Sequence, residues 1–242
     1  MTNLAQKLGQ KFVNSVFSSV HTNYDKANDA MSLFQHRKWK KDFISMLNIS
    51  NGSIVLDLAS GTGDIVKLLL ERGLAKNITG SDINADMLEI AKKKINGGKI
   101  KNDAVNFIIA DAISLPFENA TFDFLTCTFG IRNFQEIEKA VIEARRVLKK
   151  GGKFAIMEFL PEADKMHGKC FHKAHKFYIK TILPKFDKIF KNDSGSYEYL
   201  SKSILEFQNR ENFTKLLESK GFSVISPTFC NGTVGVFICT AI

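Results

Sequence analysis

The sequence has no run of about 18 apolar residues, so nothing in it reads as a membrane-spanning helix. Its first 15 residues lack a continuous apolar stretch and a small-residue cleavage pattern, which argues against a secretory signal. Cysteine is sparse. Cys127, Cys170, Cys230 and Cys239 form no C-x-x-C pair, which excludes a disulfide scaffold and fits a reducing cytosol. Proline occurs 4 times, each at a break, and tryptophan once. There is no internal repeat and no low-complexity linker. Acid is in deficit too, with 25 Asp and Glu against 34 Lys and Arg, for a net charge of +9. That surplus asks for an anionic partner (nucleic acid, membrane surface or charged ligand) without choosing among them.

What is there is globular. The 242 residues are 44% hydrophobic and 24% charged, enough for one domain or two small ones with a sizeable core. Residues 1–50 read as helical and include the basic run His36-Arg37-Lys38-Trp39-Lys40-Lys41. An alternation then begins. Strands are expected at 53–57, 77–82, 104–110, 122–129 and 153–159, and helices at 64–73, 84–95 (Asn84 as N-cap) and 135–149. Short-spaced alternation of this kind builds a parallel sheet covered by helices. A helix at 209–220 leads to strands at 222–226 and 234–240, joined too closely to be parallel. The expectation is an α/β fold with seven strands, mostly parallel, the last antiparallel.

Residues 161–208 interrupt the pattern as a helical insertion. In it Lys165, Lys169, Lys173, Lys176 and Lys180 fall within about a quarter of a helix circumference, with Phe171, Ala174, Phe177 and Tyr178 opposite. Two readings stay open: a solvated face over a core-facing stripe, or contact with an anionic membrane surface. His167, Cys170, His172 and His175 are spread around this helix, and the lysines between them repel a cation, so no metal site is expected.

The sharpest local signal is Asp57-Leu58-Ala59-Ser60-Gly61-Thr62-Gly63-Asp64, a buried strand entering a two-glycine turn and then a helix. Glycines there allow positive φ and close approach of a ligand to backbone N–H groups. A dinucleotide fingerprint needs a third glycine where Val66 stands. Asp64 suits a cationic ligand with a free amine better than a pyrophosphate. Asp82, 19 residues after Gly63, is placed to accept ribose hydroxyls. Asp111-Ala112 and Thr126-Cys127-Thr128 end the next two strands on the same carboxyl edge of the sheet. Singly, Asp57 and Asp64 could tether the turn and Asp82 could cap the following helix.

At these residues the chain resembles class I S-adenosylmethionine-dependent methyltransferases. It is further similar to the ubiquinone and menaquinone biosynthesis C-methyltransferases. The likeness is carried by Tyr24-Asp25-x-x-Asn28-Asp29 with Arg37-x-Trp39-Lys40, by the glycine turn, by Phe129-Gly130-Ile131-Arg132-Asn133, and by Arg146-Val147-Leu148-Lys149-x-Gly151-Gly152 before Glu158-Phe159. Pro184 and Tyr197-x-Tyr199-Leu200 extend it through the insertion. Two departures stand out. The last strand lacks the family's histidine, and residue 111 is Asp where some relatives carry Asn.

The resemblance implies a Rossmann-like methyltransferase with helices on both faces. It implies one domain over 1–242: a helical cap at 1–50, a cofactor-binding core at 51–160, the insertion at 161–208, and a terminal helix with antiparallel strands at 209–242. The activity implied is C-methylation of a polyprenylated quinol, either a 2-methoxy-6-polyprenyl-1,4-benzoquinol or demethylmenaquinol. The alternative is another small-molecule acceptor. Asp57, Gly61, Thr62, Gly63, Asp82, Asp111, Ala112 and Thr128 would bind or shape the site of S-adenosyl-L-methionine. Arg132 would stabilise a phenolate, Asn133 and Tyr24 would orient the oxygen, and His21 is a weaker candidate base. The implied partners are the lipophilic quinol and an anionic membrane, with no nucleic acid. Localisation is expected to be cytoplasmic or peripheral on the inner membrane face, and a homodimer is compatible.

Overall fold

The computed structural model describes residues 3–20, 35–97, 104–161, 168–189, 195–227 and 229–242. Helices α1 (Leu4–Leu8), α2 (Gln10–Val20) and α3 (Gln35–Met46) precede β1 (Ile54–Leu58), α4 (Asp64–Glu71), β2 (Asn77–Asp82), α5 (Ala85–Asn96), β3 (Val105–Ile109) and β4 (Phe122–Thr128). A 3-10 turn, Ile131–Asn133, leads to α6 (Ile137–Val147) and β5 (Leu148–Phe159). Then come α7 (Gly168–Phe177), α8 (Phe186–Ile189), α9 (Ser196–Glu206), α10 (Arg210–Ser219), β6 (Phe222–Ile225) and β7 (Val234–Ala241). The seven strands lie in the order β3-β2-β1-β4-β5-β7-β6. β7 runs antiparallel to both β5 and β6. The last strand is therefore antiparallel as expected, and it sits between β5 and β6 rather than on the edge.

Strand alternation explains the two apolar layers. Leu56 and Leu58 on β1 point to one face, where α6 and α10 bury Val141, Ala144, Phe213 and Leu217. Val55 points to the other, against Phe43, Ile44 and Leu47 of α3 and Ile65, Val66 and Leu69 of α4. Asn84 caps α5 as expected, accepting from the N–H groups of Asp86 at 3.0 Å and Met87 at 3.2 Å.

The α6–β5 junction and the insertion helix depart most from expectation. α6 ends at Val147, and the chain is already extended at Leu148, which pairs with Phe122 across a register shift. In the insertion, the apolar stripe opposite the lysines divides. Ile179 and Leu183 turn inward, whereas Ala174 is exposed and Phe177 is 58% exposed. The helix also loosens into a π-turn over Tyr178–Ile182, a distortion common near functional sites. Lys165 and His167 lie outside the described residues, and the side chains of Lys169 and Cys170 are likewise not described.

Candidate cofactor and acceptor site

The tips of the first four strands meet at their carboxyl edge. Gly63 adopts φ 79°, and a Cβ there would stand 2.9 Å from that of Ala91 on α5. Gly130 brings the β4 tip against the β1 tip, where a Cβ would stand 2.6 Å from that of Ala59. The resulting cleft is lined by Ala59 and Gly61 after β1, Ser81, Asp82 and Asn84 at β2, Ala110, Asp111 and Ala112 at β3, and Thr128, Phe129 and Gly130 at β4. Asn133 and Phe134 close one side. Gln10, Val13 and Asn14 of α2 cover it, with Asn84 Nδ2 donating to the Asn14 carbonyl at 3.3 Å and to Ser18 Oγ at 3.0 Å.

Asp82 holds the glycine turn from the side. Its Oδ2 accepts from Gly61 N–H at 2.9 Å and its Oδ1 from Asn84 N–H at 2.9 Å, and burial pushes its pKa up against these bonds. Asp111 Oδ1 accepts from Ile113 N–H at 3.1 Å. Asp57 lies beneath the turn, fully buried. Thr126 donates to its Oδ1 at 2.7 Å, but Oδ2 has no hydrogen-bond partner among the described residues. Burial lifts its pKa from 3.8 to about 7, with the Thr126 hydroxyl opposing.

Asp64 differs from the sequence reading. Its carboxylate is already taken by Lys40 at 2.7 Å and Lys94 at 2.8 Å, which outweigh burial and hold it well below the usual carboxylate range. Lys94 also donates to Thr62 Oγ1 at 3.0 Å. Asp57, at the end of β1, feels the Lys40 charge but makes no ion pair among the described residues. Gly61, Asp82, Asp111, Ala112, Thr128 and Asn133 thus line the cleft, whereas Asp57, Thr62 and Gly63 form its support.

Arg132 is buried behind the cleft. Its Nη1 donates to Glu158 Oε1 at 2.5 Å and to the Phe129 carbonyl at 2.7 Å, and its Nε to Ser203 Oγ at 3.3 Å. The other Glu158 oxygen accepts from Arg132 N–H at 3.3 Å. Tyr199 donates to Asn133 Oδ1 at 2.9 Å. Phe129, on the cleft, stacks on Phe159 with centroids 4.5 Å apart, and the Arg132 guanidinium lies 5.9 Å from the Phe159 ring. Tyr24 and His21 lie outside the described residues. Sequence reasoning gave no role to Glu158, Ser203 or Asn14. The only signal for Glu158 was its place in the family pattern.

A sheet of this order with an antiparallel seventh strand, carrying a glycine-turn cleft at its carboxyl edge, defines a class I methyltransferase. The comparisons narrow it. The ubiE/COQ5 methyltransferase family model matches residues 5–241. The ubiquinone/menaquinone biosynthesis C-methyltransferase UbiE of Rickettsia bellii is 41% identical over 222 residues, covering 90% of this chain and 87% of that protein. The demethylmenaquinone methyltransferase of Thermotoga maritima is 35% identical, covering 95% and 96%. Among solved structures, the cyclase SpnF superposes with a TM-score of 0.69 at 15% identity, over 100% of this chain and 97% of that one. That likeness shows the fold alone, since one fold hosts different reactions. The chain belongs to the ubiE/COQ5 methyltransferase family.

Proposed function

We propose that the protein transfers the methyl group of S-adenosylmethionine to a ring carbon of a polyprenylated quinol, a methoxy-benzoquinol or demethylmenaquinol. The observation that carries this reading is the juxtaposition of a carboxylate-edged cleft with an aromatic wall, Phe129 on Phe159, backed by the Arg132–Glu158 pair. The cleft fits the cofactor. Asp57 Oδ2, buried and without a hydrogen-bond partner among the described residues, suits a cationic α-ammonium, and Asp82 and Asp111 at the rim suit ribose and adenine. When bound, S-adenosylmethionine supplies a methyl group on a cationic sulfur that leaves with the bonding pair. Gly61, Thr62 and Gly63 shape the turn, and Ala112 and Thr128 border the adenosine.

The acceptor needs its ring carbon enriched in electrons. The Arg132 guanidinium, a cation with donors only, stabilises a phenolate and does not take the proton. Asn133, steadied by Tyr199, orients the acceptor oxygen together with Tyr24. Stacked Phe129 and Phe159 exclude water. The four segments act as one catalytic unit, and a homodimer is compatible with it.

A polyprenyl tail is insoluble, so the enzyme meets it at a bilayer, on the cytoplasmic face. Among the described residues no helix is long and apolar enough to cross a membrane. Exposed Lys173, Lys176 and Lys180 flank Phe177 and Ile182, which is 37% exposed, and exposed Arg37, Lys38 and Lys41 flank Trp39. Cations around apolar side chains suit anionic headgroups.

The test is incubation with labelled S-adenosylmethionine and two reduced short-chain acceptors, a benzoquinol and a demethylnaphthoquinol. Product from either supports the reading and names the ring. No product from either, with S-adenosylhomocysteine still raising the melting temperature, leaves a methyltransferase of another small molecule.

A further inference from the structure

A second cavity, of about 130 Å³, lies on the far side of the Phe129–Phe159 stack, walled by Trp39, Phe159, His175, Tyr178, Leu200 and Ile204. Its lining is aromatic and aliphatic, and it joins α3, β5, α7 with its π-turn, and α9. Phe129 lines the cofactor cleft and Phe159 lines this cavity, so the stacked ring pair links the two spaces. Trp39 meets Phe159 edge-on at 6.4 Å, the geometry of a slot for another ring.

One polar side chain in this wall can accept a proton at neutral pH. His175 Nε2 lies 3.2 Å from the Leu160 carbonyl oxygen. A carbonyl only accepts, so the ring proton resides on Nε2, and Nδ1 of the neutral imidazole carries a lone pair. Leu160 directly follows Phe159. The strand end that stacks against the cofactor cleft therefore also sets the tautomer of this histidine.

We infer that this chamber receives the aromatic head of the acceptor and that His175 Nδ1 takes its phenolic proton, an assignment that rests on the quinol reading above. The phenolic O–H bond breaks and an Nδ1–H bond forms. The oxygen's electron pair enriches the ring carbon, which forms the new C–C bond to the methyl group as the S–CH3 pair returns to sulfur. The ring carbon then releases its own proton to solvent as aromaticity returns, which regenerates the phenolate, and His175 Nδ1 gives the first proton back to that oxygen. One proton leaves per methyl transferred. Arg132, whose guanidinium offers donors only and is engaged by Glu158, does not serve as this base.

The electrostatics agree. Burial, aided by His172, holds the His175 imidazole below its ordinary pKa, with the Leu160 carbonyl opposing. Tyr178 is the other titratable group on the chamber wall. The lining residues from α3, β5 and α9, and Thr233, bring no ionisable side chain.

Trp39 is the only tryptophan and stands in this wall, so its fluorescence reports on the chamber. The full chain is titrated with a short-chain prenyl benzoquinone and a prenyl naphthoquinone. Saturable quenching by one of them is expected, weakened about 10-fold or more by Ile204→Arg. In the methylation assay, His175→Gln is expected to lower kcat about 100-fold and to abolish the acidic limb of the pH–rate profile. Quinone quenching and the thermal shift with S-adenosylhomocysteine should persist in that variant. An unchanged kcat and acidic limb, while the unaltered enzyme methylates a quinol, overturns the role of His175 and leaves the quinol reading intact. Absence of quenching by either quinone in the unaltered chain overturns the chamber whether or not the variants fold. No methylation of either quinol removes both this inference and the reading beneath it.

Discussion

Two carboxylates sit buried at the carboxyl edge of one sheet, and they are treated in opposite ways. Asp57, at the cofactor end, has one oxygen bonded to Thr126 and the other without a partner among the described residues. Glu158, at the acceptor end, has Oε1 engaged by Arg132 and by Phe159 N–H at 2.8 Å, and Oε2 by the Arg132 backbone. A buried charge without a partner is costly unless a ligand completes it or a proton neutralises it. On the reading proposed above, the β1–β3 side is completed by an incoming cation. The β4–β5 side is internally neutralised by the Arg132–Glu158 pair.

The contrast breaks most sharply at Glu158. Glu158→Gln leaves the Arg132 guanidinium buried with no counter-ion, at a cost of about 3–5 kcal/mol. In a chain of this size that lowers the melting temperature by about 6–20 °C. The double variant Arg132→Met, Glu158→Met should recover most of the stability but none of the methyl transfer. A single variant that melts within about a degree of the parent would show that the pair does not carry the acceptor side.

Asp57→Asn should act in the opposite direction on stability. The folded-state pKa of Asp57, about 7, stands above the ordinary 3.8, so folding favours its protonated form. The stability this contributes is complete below pH 3.8 and is lost as the pH rises through about 7. The variant should therefore melt higher than the parent at alkaline pH and show a flatter pH dependence of melting between these values. Each kcal/mol recovered raises melting by about 2–4 °C. Affinity for S-adenosylhomocysteine, read by calorimetry, should fall about tenfold or more, as a charge-assisted bond is lost. Equal affinity would place the ammonium elsewhere.

The smallest effect belongs to Lys40→Met. Asp64 keeps Lys94, so chemical denaturation should register a loss of about 1 kcal/mol. A larger loss would mean that α3 is anchored to the glycine turn mainly through this lysine.

The same contrast governs what could be read from the residues alone. The cofactor side is local in sequence: Asp57 to Asp64 is one strand, one turn and one helix start, and Asp82 and Asp111 end consecutive strands. Periodicity and glycine placement suffice for that. Even so, the partners of Asp64 come from residues 24 and 30 positions away, and its reading as a ligand for an amine failed for that reason. The acceptor side joins Arg132 to Glu158 across 26 residues and to Ser203 across 71. No spacing rule reaches across such separations, so Arg132 and Glu158 both stand in the family pattern while nothing in the sequence joins them as a pair. The chamber wall draws Trp39 and Ile204 from opposite ends of the chain, and only the folded sheet brings them together.

The place of β7 bears on how the chain is made. β6 pairs only with β7, and β7 is the last strand in chain order, yet it fills the slot beside β5. Until residue 241 has left the ribosome, β5 offers an open row of backbone donors and acceptors, and β6 has nothing to join. The sheet therefore closes late, through pairings as distant as Lys153 with Thr240. Such pairings form slowly and leave a hydrophobic strand edge exposed meanwhile. A nascent chain stalled before residue 234 should consequently be a chaperone client and an aggregation hazard, even with every residue that lines the candidate cleft already synthesised.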